Sequence, residues 1–198
     1  MRILLTVLLS TISATAALSE ETRQLDAHEH GVGQLNIAIE GKSVAMELKT
    51  PGADIVGFEY QATSAEDRAS IDQALAQLSA PLELFTLPAA AECVATETNA
   101  ALEQEEMAED DHDHSHDHDH GHDHGEKSDA KAEASHTEFH ANYMLTCDKP
   151  SAIINIDFPY FDLFPNAQEL EVQLISDQGA GAFEVERSNP QLSLGGLI

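Results

Sequence analysis

Eleven histidines carry most of the chemistry open to this chain. Seven of them (His112, His114, His116, His118, His120, His122 and His124) occupy every second position between Asp111 and Gly125. Neutral imidazole is a ligand for zinc, copper and nickel, and the interleaved aspartates can complete a coordination sphere. A run so dense in ionisable side chains cannot enter a core, so the tract must lie in water. It reads as a segment that gathers metal ions, the usual meaning of a short His-rich tract; the alternative is a solvated acidic linker. The other four histidines come in pairs, His28 and His30 around Glu29, and His136 and His140 around Glu138. In extended chain, residues two apart point the same way. His28 and His30 then share one direction, while His136, Glu138 and His140 share a face opposite Phe139 and Tyr143. Zinc takes three or four N/O ligands at about 2 Å, and His28, His30 and His140 can supply them with His136 or Glu138 as the fourth. The competing reading is four surface histidines at strand ends.

Cys93 and Cys147 are an even pair, which in an oxidising compartment predicts a disulfide; the rival is a thiolate metal pair. A bond between them closes a loop of about 55 residues, contributes near 4 kcal/mol in the chain-entropy model, and is expected to pin the roots of whatever lies between.

The elements that must position these groups follow from periodicity. Leu35, Ile37 and Ile39 alternate, Glu40-Gly41-Lys42 turns, and Val44, Met46 and Leu48 alternate again: a β-hairpin with one buried face. Ser64 with Asp67 has capping-box form, and Ile71, Ala74, Leu75 and Leu78 make a single apolar helical stripe that Pro81 follows. Leu82 to Leu87 and Glu92 to Thr98 are weaker strand candidates. From Glu97 to Glu133, fourteen acidic residues face two lysines without one aromatic. Such a segment cannot bury enough apolar surface to offset the entropy of ordering, so 97–133 is expected to be a disordered insertion that contains the tract. Order is expected again at His136, with strands over His136 to Cys147, Ile153 to Ile156, Leu170 to Leu174 and Phe183 to Val185, and an aromatic turn from Phe158 to Phe164. With no βαβ rhythm and no internal repeat, the fold class is α+β, mainly antiparallel sheet with one substantial helix.

The first 16 residues have the form of a secretory signal peptide: Arg2, an apolar stretch from Ile3 to Ile12, and the small-x-small site Ala14-Thr15-Ala16. Residues 17–198 then form a single exported domain, with no later apolar run long enough to enter a membrane. The formal charge of −27 repels nucleic acid and anionic lipid and attracts cations.

His28-Glu29-His30-Gly31 leads into Leu35-Asn36-Ile37-Ala38-Ile39-Glu40-Gly41. Val56-Gly57-Phe58-Glu59-Tyr60 follows, then His136-Thr137-Glu138-Phe139-His140-Ala141-Asn142-Tyr143 before Cys147. Together these segments resemble the ZrgA-like family of exported zinc-uptake proteins, over nearly the whole mature chain and including the His-rich insertion. The resemblance implies a periplasmic protein that responds to zinc shortage and assists zinc import, with a zinc ABC importer or its solute-binding protein as partner. Asn142 stands where many relatives carry another histidine, so ligation there is not expected. Phe58 and Tyr60, within a segment resembling a family signature, are expected to pack in the core.

Catalysis finds little support, since nucleophile elbow, H-E-x-x-H helix and phosphate-binding glycine loop are all missing from the sequence. Copper(I) is disfavoured by scattered methionines and oxidised cysteines, whereas copper(II) and nickel suit a His site as zinc does. The expected function is therefore a zinc-binding accessory to uptake, and not an enzyme. A metal buffer or detoxification protein would use the same ligands, and a zinc-dependent hydrolase would need an open coordination position with a general base.

Overall fold

The computed structural model describes residues 29–104 and 136–198. The expected hairpin forms as β1 (Val32–Glu40) and β2 (Ser43–Pro51), paired from Glu40↔Ser43 to Gln34↔Lys49. Its turn works because Gly41 adopts φ 55°, in the left-handed region where a side chain is strained. β2 then pairs antiparallel with β4 (Thr137–Cys147), and β4 with β3 (Cys93–Gln104). On its other side β1 pairs parallel with β6 (Glu169–Ser176), which pairs antiparallel with β7 (Gly179–Glu186). The result is one six-stranded sheet in the order β3-β4-β2-β1-β6-β7, all antiparallel except β1 with β6.

One face of this sheet is covered. Leu35, Ile37, Val44, Met46, Leu48, Phe139, Tyr143, Leu145, Leu170, Val172 and Leu174 point into a core completed by the helices and a small ribbon of β5 (Asn155–Asp157) with β8 (Gln191–Ser193). The helices are α1 (Gly52–Val56), α2 (Ala65–Leu78), α3 (Pro81–Leu84) and α4 (Tyr160–Leu163). The capping box that starts α2 is formed from both sides, with Ser64 Oγ accepting from Asp67 N at 2.9 Å and Asp67 Oδ2 accepting from Ser64 N at 3.3 Å. Phe85, Phe158, Tyr160, Phe161 and Phe164 form an aromatic centre. Arg187 braces it by donating to the carbonyls of Phe161, Phe164 and Ala167. The opposite face is open. Its middle is a polar row, the amides Asn99, Asn142, Asn36 and Gln173 with the carboxylate Glu47, in register across five strands and lining a trough of about 1040 Å³.

Several expectations change. Leu82 to Leu87 is not a strand: Pro81 sits in the first turn of α3, where its fixed φ suits a helix start, and Thr86 alone bridges to Asp157. The isoleucine strand shrinks to the three residues of β5, preceded by a 3-10 turn over Pro150–Ala152. Glu97 to Gln104, assigned to the insertion on composition, belongs to β3, because pairing with β4 overrides its polarity. Cys93 and Cys147 are bonded as expected and face each other across β3 and β4. They lie at the far end of that hairpin from residues 105–135, however, so the roots of the segment are held by the Gln104↔Thr137 pairing and not by the bond.

Candidate metal centre

The end of the sheet opposite the disulfide gathers the start of β1, the end of β2 and the start of β4. His30 enters on a turn closed by Val32 N donating to Glu29 O at 3.1 Å, with Gly31 at φ 91°. The Gly31 carbonyl accepts from Gln168 N at 2.8 Å and Glu169 N at 2.9 Å, which ties the turn to the start of β6. From β2 the chain passes into α1, which stops at Gly57 in the left-handed conformation, φ 84°, and swings back through Phe58 and Glu59. His136 immediately precedes β4.

These three segments meet at Glu59. One carboxylate oxygen lies 3.2 Å from His30 Nε2 and the other 3.0 Å from His136 Nδ1. The Glu59 side chain is only 13% exposed, so both contacts are shielded from water more than an ordinary surface pair. Burial pushes its carboxyl up, but the His136 hydrogen bond and the nearby His30 outweigh that and hold it below the usual carboxylate range. Behind His30 lies Asp54 of α1, whose Oδ1 accepts from Gly31 N at 2.7 Å. Burial raises the Asp54 carboxyl above its ordinary value, opposed by the Gly31 N–H and by His30.

A second group lies farther along β4. His140 contacts Glu138 through Nε2 and Glu103 through Nδ1, the latter at 3.5 Å, with Lys49 as its register partner on β2. His136, Glu138 and His140 do share the face opposite Phe139 and Tyr143, which are buried. Of the ligand set expected from sequence, His30 is brought to His136 through Glu59, whereas His140 keeps company with Glu138 and Glu103. His28 and the tract histidines, His112 to His124, lie outside the described residues. Among the described residues, no three of His, Cys, Asp and Glu are gathered closely enough to hold an ion unaided.

A family model for the ZrgA family zinc uptake protein matches residues 27–194. The chain belongs to this family. No curated protein matches it. Within the ZrgA family zinc is the cargo, and His30, Glu59 and His136 offer the N/N/O donors that zinc takes in proteins. The thiolate alternative falls away, because Cys93 and Cys147 are consumed by their disulfide. No described helix is long and apolar enough to cross a membrane.

Sequence reasoning missed Glu59, Asp54 and Glu103. Glu59 lies in the segment that resembles a ZrgA signature, but its neighbours drew the reading towards the core. That expectation fails: Tyr60 is 57% exposed, and Phe58 is half-buried and stacks on it at 4.7 Å. The available signal was a carboxylate between two aromatics just after a glycine turn. Glu103 carried no signal, because its place beside His140 depends on the β3–β4 register.

Proposed function

We propose that the chain is a periplasmic zinc-binding accessory protein that assists high-affinity zinc uptake and performs no catalysis. His30, Glu59 and His136 hold one ion on the ordered domain, with a further donor from the adjacent residues before Glu29, His28 foremost. The convergence of two imidazoles on the two oxygens of Glu59 is the observation that supports this. The carboxylate holds both ligands in place before the ion arrives, which lowers the ordering cost of binding. Glu138 and His140, with Glu103, form a neighbouring group that an ion can visit. The histidines from His112 to His124 collect ions weakly, each losing conformational freedom on binding, and raise their concentration near the root of the segment, beside His136. A zinc ABC importer or its solute-binding protein receives the ion.

The test is a zinc titration of the intact protein beside one lacking Asp111 to Gly125. Stoichiometry should fall on deletion while one tight site survives. Loss of the tight site with the tract would overturn the assignment to the ordered domain.

A further inference from the structure

α1 is a five-residue helix, too short to persist without tertiary support, yet it touches every segment of the centre. Gly52, at its start, is packed so closely that a Cβ there would lie 2.9 Å from the Phe58 carbonyl oxygen and 3.0 Å from that of Thr137, next to His136. Gly57, at its end, turns the chain towards Glu59. Between them Asp54, 2% exposed, spends one oxygen on the Gly31 N–H, while its Oδ2 has no hydrogen-bond partner among the described residues. A buried carboxylate with an unpartnered oxygen is costly, and packing alone would favour an apolar residue. Its position beside the turn that carries His30 accounts for it.

We infer that Asp54 is a positioning residue of the metal centre, acting through the Gly31 N–H to fix the turn that aims His30 at Glu59. This rests on the reading of His30, Glu59 and His136 as zinc ligands. The bond needs an acceptor oxygen at that depth, not a charge. Asparagine supplies the oxygen at the same reach, and alanine leaves the Gly31 N–H buried and unpaired.

The experiment uses the protein lacking Asp111 to Gly125, with Asp54→Ala and Asp54→Asn made in it. The first readout needs no zinc: the imidazole resonance of His30 in the metal-free protein at one fixed pH, with that of His140 as internal control. Asp54→Ala should move the His30 resonance to that of a free, exposed imidazole and leave His140 unmoved; Asp54→Asn should restore the parent position. The second readout is zinc affinity against a competing chelator. It should fall by about tenfold or more in Asp54→Ala and stay within about threefold of the parent in Asp54→Asn. An unmoved His30 resonance in Asp54→Ala overturns the inference. So does Asp54→Asn as impaired as Asp54→Ala, which would assign the role to the charge. If Asp54→Ala does not fold, Asp54→Asn decides alone, and a displaced His30 resonance overturns it. A parent that binds no zinc tightly would bring down the zinc reading of the centre, while the resonance still decides whether Asp54 places His30.

Discussion

Glu59 accepts from imidazoles on two separate segments, so its loss should unfasten both. In protein lacking Asp111 to Gly125, Glu59→Ala is expected to weaken zinc binding by about tenfold or more, whether Glu59 ligates directly or only orients the imidazoles. Competition with a chelating dye measures this, and unchanged affinity would show that the ion sits elsewhere. Because the folded state lowers the Glu59 pKa, the contribution of these contacts to stability is complete above the ordinary carboxylate range and disappears as pH falls through the lowered value. Denaturant midpoints of wild type and Glu59→Gln should therefore differ at pH 6, and the difference should shrink as pH falls through the carboxylate range.

At the scale of elements, local signals that agreed with the fold were easy to read and those set by partners were not. The β1–β2 hairpin and α2 follow from alternation, a turn glycine and a capping box, all contained within a few residues. Ser64→Ala should accordingly cost about 1 kcal/mol in chemical denaturation and leave zinc affinity close to that of wild type, since α2 supplies no donor to the candidate centre. β8, only three residues long, and the polar half of β3 exist because neighbouring strands complete their hydrogen bonds, which no short window reveals. β6 and β7 carry a different liability. Burial raises the Glu169 pKa, and Glu184, Glu186, Glu171 and Glu29 raise it further. A raised carboxyl pKa favours the folded state only while the group is protonated, and that contribution is lost as pH rises through the folded value. Glu169→Gln should thus raise the melting temperature slightly at pH 7, and the gain should shrink as pH falls into the carboxylate range.

Across the whole molecule, the candidate metal centre and the disulfide occupy opposite ends of the sheet, with β4 running between them. Replacing both Cys93 and Cys147 with serine should cost about 2–4 kcal/mol, yet zinc affinity in the folded protein should stay close to that of wild type. A large loss of affinity would mean that the two ends are coupled through β4. This separation also explains how much of the site was legible. His30, His136, Glu138 and His140 stood out by type and spacing, and their strand face was readable from alternation. Which histidine meets which was not readable, since β1, α1 and β4 come together only through the sheet order and the turn at Gly57.

The single parallel pairing has a kinetic consequence. β1 meets β6 in register from Val32↔Glu169 to Ile39↔Ser176, so the strand that follows His30 gains one of its two neighbours only after most of the chain is available. Contacts so distant in sequence demand loop-closure entropy before they return any free energy, and they slow folding. The turn that carries His30 is tied to that late partner through the Gln168 and Glu169 amides. An emerging chain therefore has no finished His30–Glu59–His136 cluster until its C-terminal third arrives. For the exported zinc-binding protein proposed above, slow closure of β1 on β6 would keep the chain threadable and postpone capture of an ion until the crossing is complete. A refolding experiment should find that resistance of bound zinc to a chelator develops in step with protection of the β6 amides, and not with the earlier β1–β2 hairpin.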